Sequence, residues 1–306
     1  MAVVFFSETQ HALDNITTLF DSVWPTAVGL WNLRCHVNGL KKEFPSISET
    51  ELASKFTLGS GIHGVNYKRA FVEKTWEQQQ ADFAWIILNS AFPIYEGWLE
   101  SLKKTIFPNM NLSSMQSVTD LKNEVTRLTA NRSVTMGNSF YPVYLTKKDR
   151  YYPKIEALMY CFRLFKNARN CYMHNGSIAD SRLINSYNNY TSCAPDLTQC
   201  TSEIPEFYQP TLGNNIQITL RGVVGFSDIL RKIMISLDTE LMCAVEAENE
   251  FISRYKAKHT TLRTLKSDPN AAKRQVIQYV KQCGYVTPVA VEDLITFLAG
   301  NHLLIR

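Results

Sequence analysis

Apolar residues recur along this chain at spacings of three and four rather than two. From Pro153 onward, Ile155, Leu158, Met159, Phe162 and Phe165 follow that rule, which predicts an amphipathic helix with one buried stripe. Pro153 suits its first turn, where a missing N–H costs nothing. Phe226, Ile229, Ile233, Leu237, Leu241 and Val245 repeat the pattern and predict one long helix from Gly225 to about Tyr255. Upstream, Phe71, Val72, Trp76, Phe83, Ile86 and Ile87 predict a helix from Asn66 to about Phe92, which Pro93 should kink or break. Another runs from Tyr95 through Phe107 and stops at Pro108, and a shorter one covers Val118 to Ala130. Near the start, Ser7 is placed to cap a helix through Phe20, while Ser48 and Glu51 form a capping box for a helix ending near Phe56. Trp24, Trp31 and Phe44 are expected as core or docking residues, because large aromatics are mostly buried.

Period-two alternation is confined to Ile216, Ile218 and Leu220, one short strand whose expected partner is Tyr141 to Leu145. Residues 181–215 are rich in Asn, Ser, Thr, Tyr and Pro and read as a long irregular loop. The last 40 or so residues read as a helical hairpin: Asp268 caps and Pro269 opens a helix that Gly284 ends, and Thr287-Pro288 opens a second through Leu298 that Gly300 ends. A DNA-reading second helix would present Arg, Lys, Asn or Gln, whereas this one carries Glu292 and Asp293, so the hairpin reads as a packing or docking unit. The expected architecture is mostly α, a helical bundle with at most a small β element and a C-terminal helical hairpin. It divides into an N-terminal helical segment (1–64), a bundle (65–262) and the hairpin (263–306).

Composition narrows the classes. The 306 residues are 45% hydrophobic and 20% charged, enough apolar material for a sizeable core. A net charge of +4 permits a nucleic-acid partner without requiring one. Seven cysteines with no C-x-x-C pair, and an opening apolar run Ala2–Phe6 too short for a signal core, point to a reducing cytoplasm. No stretch is long and apolar enough to span a bilayer, so no membrane partner is expected. Gly59-Ser60-Gly61-Ile62-His63-Gly64 lacks the Gly-Lys-Ser/Thr of a phosphate loop and reads as a joint. His36 beside Cys35 lacks further ligands at metal-binding spacing and is expected to be packed.

The chemistry concentrates where the Pro153 helix ends. There Arg169-Asn170-Cys171-Tyr172-Met173-His174 has the form R-N-x-x-x-H, followed by the helix-stopping pair Asn175-Gly176. Histidine titrates near working pH and can take a proton from a 2′-hydroxyl. A guanidinium offers a planar, permanently charged fork for phosphate oxygens. On one unbroken helix the two side chains would sit about 140° apart, so they can meet through the helix end or across two copies of the chain.

These six residues and their helical surround resemble the signature of the HEPN superfamily. That resemblance implies a HEPN-type bundle and a metal-independent endoribonuclease with no cofactor, built as a homodimer whose two protomers line one cleft. Catalysis would then use Arg169, Asn170 and His174, with RNA as substrate. Lys147, Lys148, Arg150, Arg163 and Lys166 are the basic side chains placed to contact RNA phosphates. A toxin or antiphage (abortive-infection) effector cutting cellular RNA, held by a cognate inhibitor or released by a trigger protein, is the implied role. The alternative is a non-catalytic HEPN-like module that binds RNA or a protein partner.

Overall fold

A computed structural model of the chain describes residues 4–305. Helices α1 (Ser7–Glu43), α2 (Glu49–Thr57), α3 (Trp76–Thr105), α4 (Leu121–Leu128), α5 (Val134–Ser139), α6 (Tyr141–Leu145) and α7 (Ile155–His174) come first. Then follow α8 (Ser181–Ser192), α9 (Ala194–Leu197), α10 (Leu220–Leu241), α11 (Glu246–Lys258), α12 (Pro269–Gln282) and α13 (Val291–Gly300). Between α11 and α12 lies β1 (Arg263–Thr264), which pairs in parallel with β2 (Leu304–Ile305). The expected mostly helical fold with a small β element is therefore the one adopted. Among the described residues no helix is long and apolar enough to cross a membrane.

Four helices make the body. α1 and α3 run antiparallel: the Trp98 indole N–H donates to Thr9 Oγ1 at 3.0 Å near one end, and the rings of Trp31 and Trp76 meet at 4.9 Å near the other. α7 is antiparallel to α3, with Phe92 against Phe162 at 5.4 Å and Trp85 against Tyr172 at 3.8 Å. α10 is antiparallel to α7, with Phe165 stacked on Phe226 at 4.5 Å and the Tyr151 N–H donating to Ser236 Oγ at 2.8 Å. Phe92, Phe162, Phe165 and Phe226 are fully buried where three of these helices meet. Burial of each such side chain contributes roughly 1.5–3 kcal/mol. Phe5 and Phe6, just ahead of α1, and Val276, Leu294 and Leu298 of the C-terminal hairpin belong to the same continuous core. Segments 1–64, 65–262 and 263–306 thus share side chains in one core, while Val37, Leu52, Tyr67 and Phe71 close a second, smaller one around the far end of α1.

Several expectations are corrected. Helix α1 does not stop at Phe20 but continues to Glu43 through Pro25, and its N-cap is Phe6 with no side-chain bond, so Ser7 lies inside it. Likewise α3 runs unbroken through Pro93. Both prolines lie on the solvent face, where a freed carbonyl is accessible to water, so the lost N–H bond is tolerable. Trp24, Trp31 and Phe44 are not core residues but 40%, 45% and 54% exposed, since α1 buries Thr9, Ala12, Leu13, Ile16 and Val23 instead. His36 is exposed rather than packed. Of the stretch expected as a loop, residues 181–197 are largely helical, because Asp180 caps α8 by accepting the Leu183 N–H at 2.9 Å and Leu183 and Tyr190 are buried, while 198–215 is irregular as expected. Residues 216–219 form no strand, and 141–145 is α6: the segment leads into Thr219, whose hydroxyl accepts the Gly222 N–H at 2.9 Å and caps α10. The single long helix expected from Gly225 to Tyr255 is two, α10 and α11, parted at 242–245. The Ser48–Glu51 capping box is present as expected.

Gly222 shows how tightly α10 is seated. A Cβ there would lie 2.0 Å from the Glu206 carbonyl oxygen, so backbone must move to admit one. Gly222→Ala should cost about 1–3 kcal/mol, the usual range for overpacking a close contact. Gly29→Ala, where a Cβ meets nothing within 4 Å, should be neutral or stabilising. Thermal unfolding that ranks the two variants in the opposite order would refute this placement.

Candidate functional site

The R-N-x-x-x-H stretch forms the last turn and a half of α7, which stays helical through His174. Its end is firmly built. The Cys171 carbonyl accepts the N–H groups of Asn175 at 2.9 Å and Ser177 at 3.1 Å, and Gly176 turns the chain at φ +57°. Segment 213–216 then laces onto the turn: Ile216 N–H donates to the Ser177 carbonyl, Ala179 N–H to that of Asn214, and Gly213 N–H to that of Ala179. The helix end bearing His174 is therefore a fixed platform rather than a frayed terminus.

Arg169 turns toward α3. Its guanidinium carbon lies 5.7 Å from the Phe92 ring centroid, a distance at which a cation gains from the ring face. Its Nε is buried and has no hydrogen-bond partner. One turn before Phe92 on α3, the side-chain oxygen of Asn89 is also buried without a partner. One turn further along α7, Tyr172 stacks on Trp85 of α3, with ring planes 17° apart. Arg169, Phe92, Asn89 and the Trp85–Tyr172 stack thus line one seam between the two helices. Trp85 also borders a groove of ≈ 420 Å³ that it shares with Tyr208, Gln78 and Ile216–Leu220.

The remaining candidates sort by position. Asn170 is half-buried beside Arg169, and His174 is exposed at the tip. Arg169 and His174 do not face each other within one chain, being separated by five positions, about 140° and about 7.5 Å of rise on a continuous helix. Lys166 lies on the same stretch but is engaged, its ammonium 3.3 Å from Glu96 and donating to Gln116. Arg163 is exposed midway along α7. Lys147, Lys148 and Arg150 precede α7, so they stand roughly 20 Å along its axis from Arg169. Arg150 donates to Thr239 Oγ1 at 3.1 Å and to the Lys148 carbonyl at 2.6 Å, and burial lowers its pKa. The structure gathers Arg169, Asn170 and His174 onto one helix end and leaves the 147–150 cluster at the other. Burial raises the Cys171 thiol above its ordinary range, which keeps it an inert packing residue.

Sequence reasoning missed Asn89, Phe92 and Trp85. Asn89 left a signal, a lone amide within the apolar run Ala84-Trp85-Ile86-Ile87-Leu88 to Phe92. No protein-family model, curated protein or solved structure matches this chain.

Proposed function

We propose that the chain is an endoribonuclease of HEPN type that needs no metal, with its cleavage centre at the C-terminal end of α7. Two copies assemble it: Arg169 and Asn170 of one protomer hold the scissile phosphate, and His174 of the other exchanges the proton of the 2′-hydroxyl. The observation that carries this reading is the uncommitted Arg169 Nε, a buried donor with no protein partner on the helix end that also bears the exposed His174. A buried donor left unmade costs about 1–3 kcal/mol, a cost relieved when the guanidinium turns outward onto a phosphate oxygen. A toxin or antiphage effector acting on cellular RNA is the role that fits, with a protein inhibitor or trigger controlling it. The non-catalytic reading draws on the divergence of Arg169 and His174 within one chain, and the same divergence is what makes the two-copy site necessary.

Complementation tests it. Arg169→Ala and His174→Ala proteins should each be dimeric by light scattering and inactive alone. When the two are unfolded and refolded together, half the dimers are mixed and each mixed dimer regains one intact site. RNA cleavage should therefore return to about a quarter of the wild-type level, as an isologous two-fold assembly requires. A monomeric wild type, or a mixture as dead as its parents, would overturn the two-copy site. A wild type that cleaves no RNA would leave only the binding module.

A further inference from the structure

We infer that the outer surface of the α11–β1–α12 module is a docking face for the phosphate backbone of RNA, separate from the cleavage centre. The inference rests on the reading of RNA as substrate, and it deepens that reading by naming where the chain grips its substrate. Between residues 251 and 291 there are eight Lys and Arg against the single acid Asp268, whereas the whole chain carries only +4. The rest of the molecule is therefore net negative, and its positive potential is concentrated here. Arg254 pairs with Glu250, and Lys273 with Glu292. Among the described residues, Lys256, Lys258, Arg263, Lys266, Arg274 and Lys281 are exposed and have no acidic partner.

The fold joins the elements that carry these charges into one module. The His259 ring contacts the Tyr255 and Tyr279 rings at 4.7 and 5.1 Å, and its Nε2 is 3.2 Å from the Tyr279 carbonyl, which joins the end of α11 to α12. The Arg263 guanidinium lies over the Tyr279 ring at 5.8 Å. Gln275 bridges the strand to the helix, accepting the Lys266 N–H at 3.1 Å and donating to the Thr264 carbonyl at 3.2 Å. On α12, Asn270, Arg274, Gln278, Lys281 and Gln282 are all exposed at three-to-four spacing, an outward stripe of cations and amides with no apolar member. A lipid surface would want apolar side chains on that face to enter the acyl boundary. A polyphosphate wants fixed cations, and amide side chains suit its oxygens and sugar hydroxyls.

Position sets the role. The module packs on Phe5 and Phe140 through Tyr285, at the end of the body where α10 stops, whereas Arg169 lies by the start of α10. The 22 residues of α10 separate the two regions by roughly 30 Å, so one extended strand of RNA can reach both only over many nucleotides. The face therefore tethers RNA and does not touch the scissile bond.

The test is equilibrium binding of a fluorescent 30-nucleotide single-stranded RNA to the full chain carrying His174→Ala, which prevents cleavage, with and without Lys258→Glu, Arg274→Glu and Lys281→Glu. These positions are exposed, so folding should persist, as circular dichroism will report. Affinity should drop at least tenfold at low salt, and the slope of log affinity against log salt should become shallower by about 0.7 per lost phosphate contact. In the cleavage-competent background the same changes should raise KM and leave kcat within about twofold. Unchanged RNA affinity, or stronger binding to duplex DNA or to phosphatidylserine vesicles than to RNA, overturns the assignment. If RNA binding depends on the face but no form of the protein cleaves, the docking face stands and the nuclease reading falls.

Discussion

Replacing His174 with alanine should reduce RNA cleavage by about a hundred- to ten-thousand-fold, the range associated with losing a positioned acid–base group. Arg169→Ala should cost about a hundred- to a thousand-fold, as for other charge-stabilising donors. Neither change should unfold the protein. His174 is exposed at the end of a helix held by backbone bonds, and Arg169 is only half-buried, so far-ultraviolet circular dichroism should match the wild type. Arg169→Lys should recover little activity, because an ammonium can neither present a planar fork nor place a donor where the buried Nε now sits. The proposed chemistry uses side chains alone, so a chelator should leave the rate unchanged and the 5′ fragment should end in a 2′,3′-cyclic phosphate. Activity that survives His174→Ala and dies in chelator would refute the assignment of the site.

Much of the fold was legible because burial imposes a period. The stripe Ile155, Leu158, Phe162, Phe165 gave α7 to within two residues of its start, and Asp268-Pro269 gave the start of α12. What failed were inferences from single residues. Pro25 and Pro93 read as breaks, yet each removes one bond on a solvent face, and a long helix packed on its other side absorbs that loss. The Asn- and Ser-rich run of α8 read as loop because these residues favour turns locally. Asp180 at its start and Leu183 and Tyr190 at helical spacing decide otherwise. Of the site, the sequence offered the residues on α7 but not their counterparts on α3, since which helix faces Arg169 is a long-range fact. The basic residues nearest the motif in sequence were also misleading guides. Lys166 is held by Glu96, while exposed cations without an acidic partner are densest about a hundred positions later, between the start of α11 and the end of α12.

Asp238→Ala should be among the most damaging substitutions, at about 3–5 kcal/mol, and its cost should depend on pH. Asp238 is fully buried on α10, where its two oxygens accept the Phe5 N–H at 2.6 Å and the Phe6 N–H at 3.1 Å. These bonds lock the entry to α1 onto the bundle and fix the two buried phenylalanine rings. Alanine would leave both N–H groups buried and unpaired, at about 1–3 kcal/mol each. Burial pushes the Asp238 carboxyl up from 3.8 to about 6, outweighing the stabilisation of the anion by the two N–H groups and the Thr9 hydroxyl. A carboxyl whose folded pKa lies above its unfolded value binds its proton more tightly in the folded state. Its contribution to stability is thus fully present below about pH 4, declines as pH rises toward 6, and is constant above that. The shift corresponds to roughly 3 kcal/mol across that window. Denaturant unfolding at pH 4 and pH 7 should therefore show a larger penalty for Asp238→Ala at pH 4. A penalty that grows with pH would mean that the buried group is held as the anion by its N–H donors, and that the latch works by charge instead.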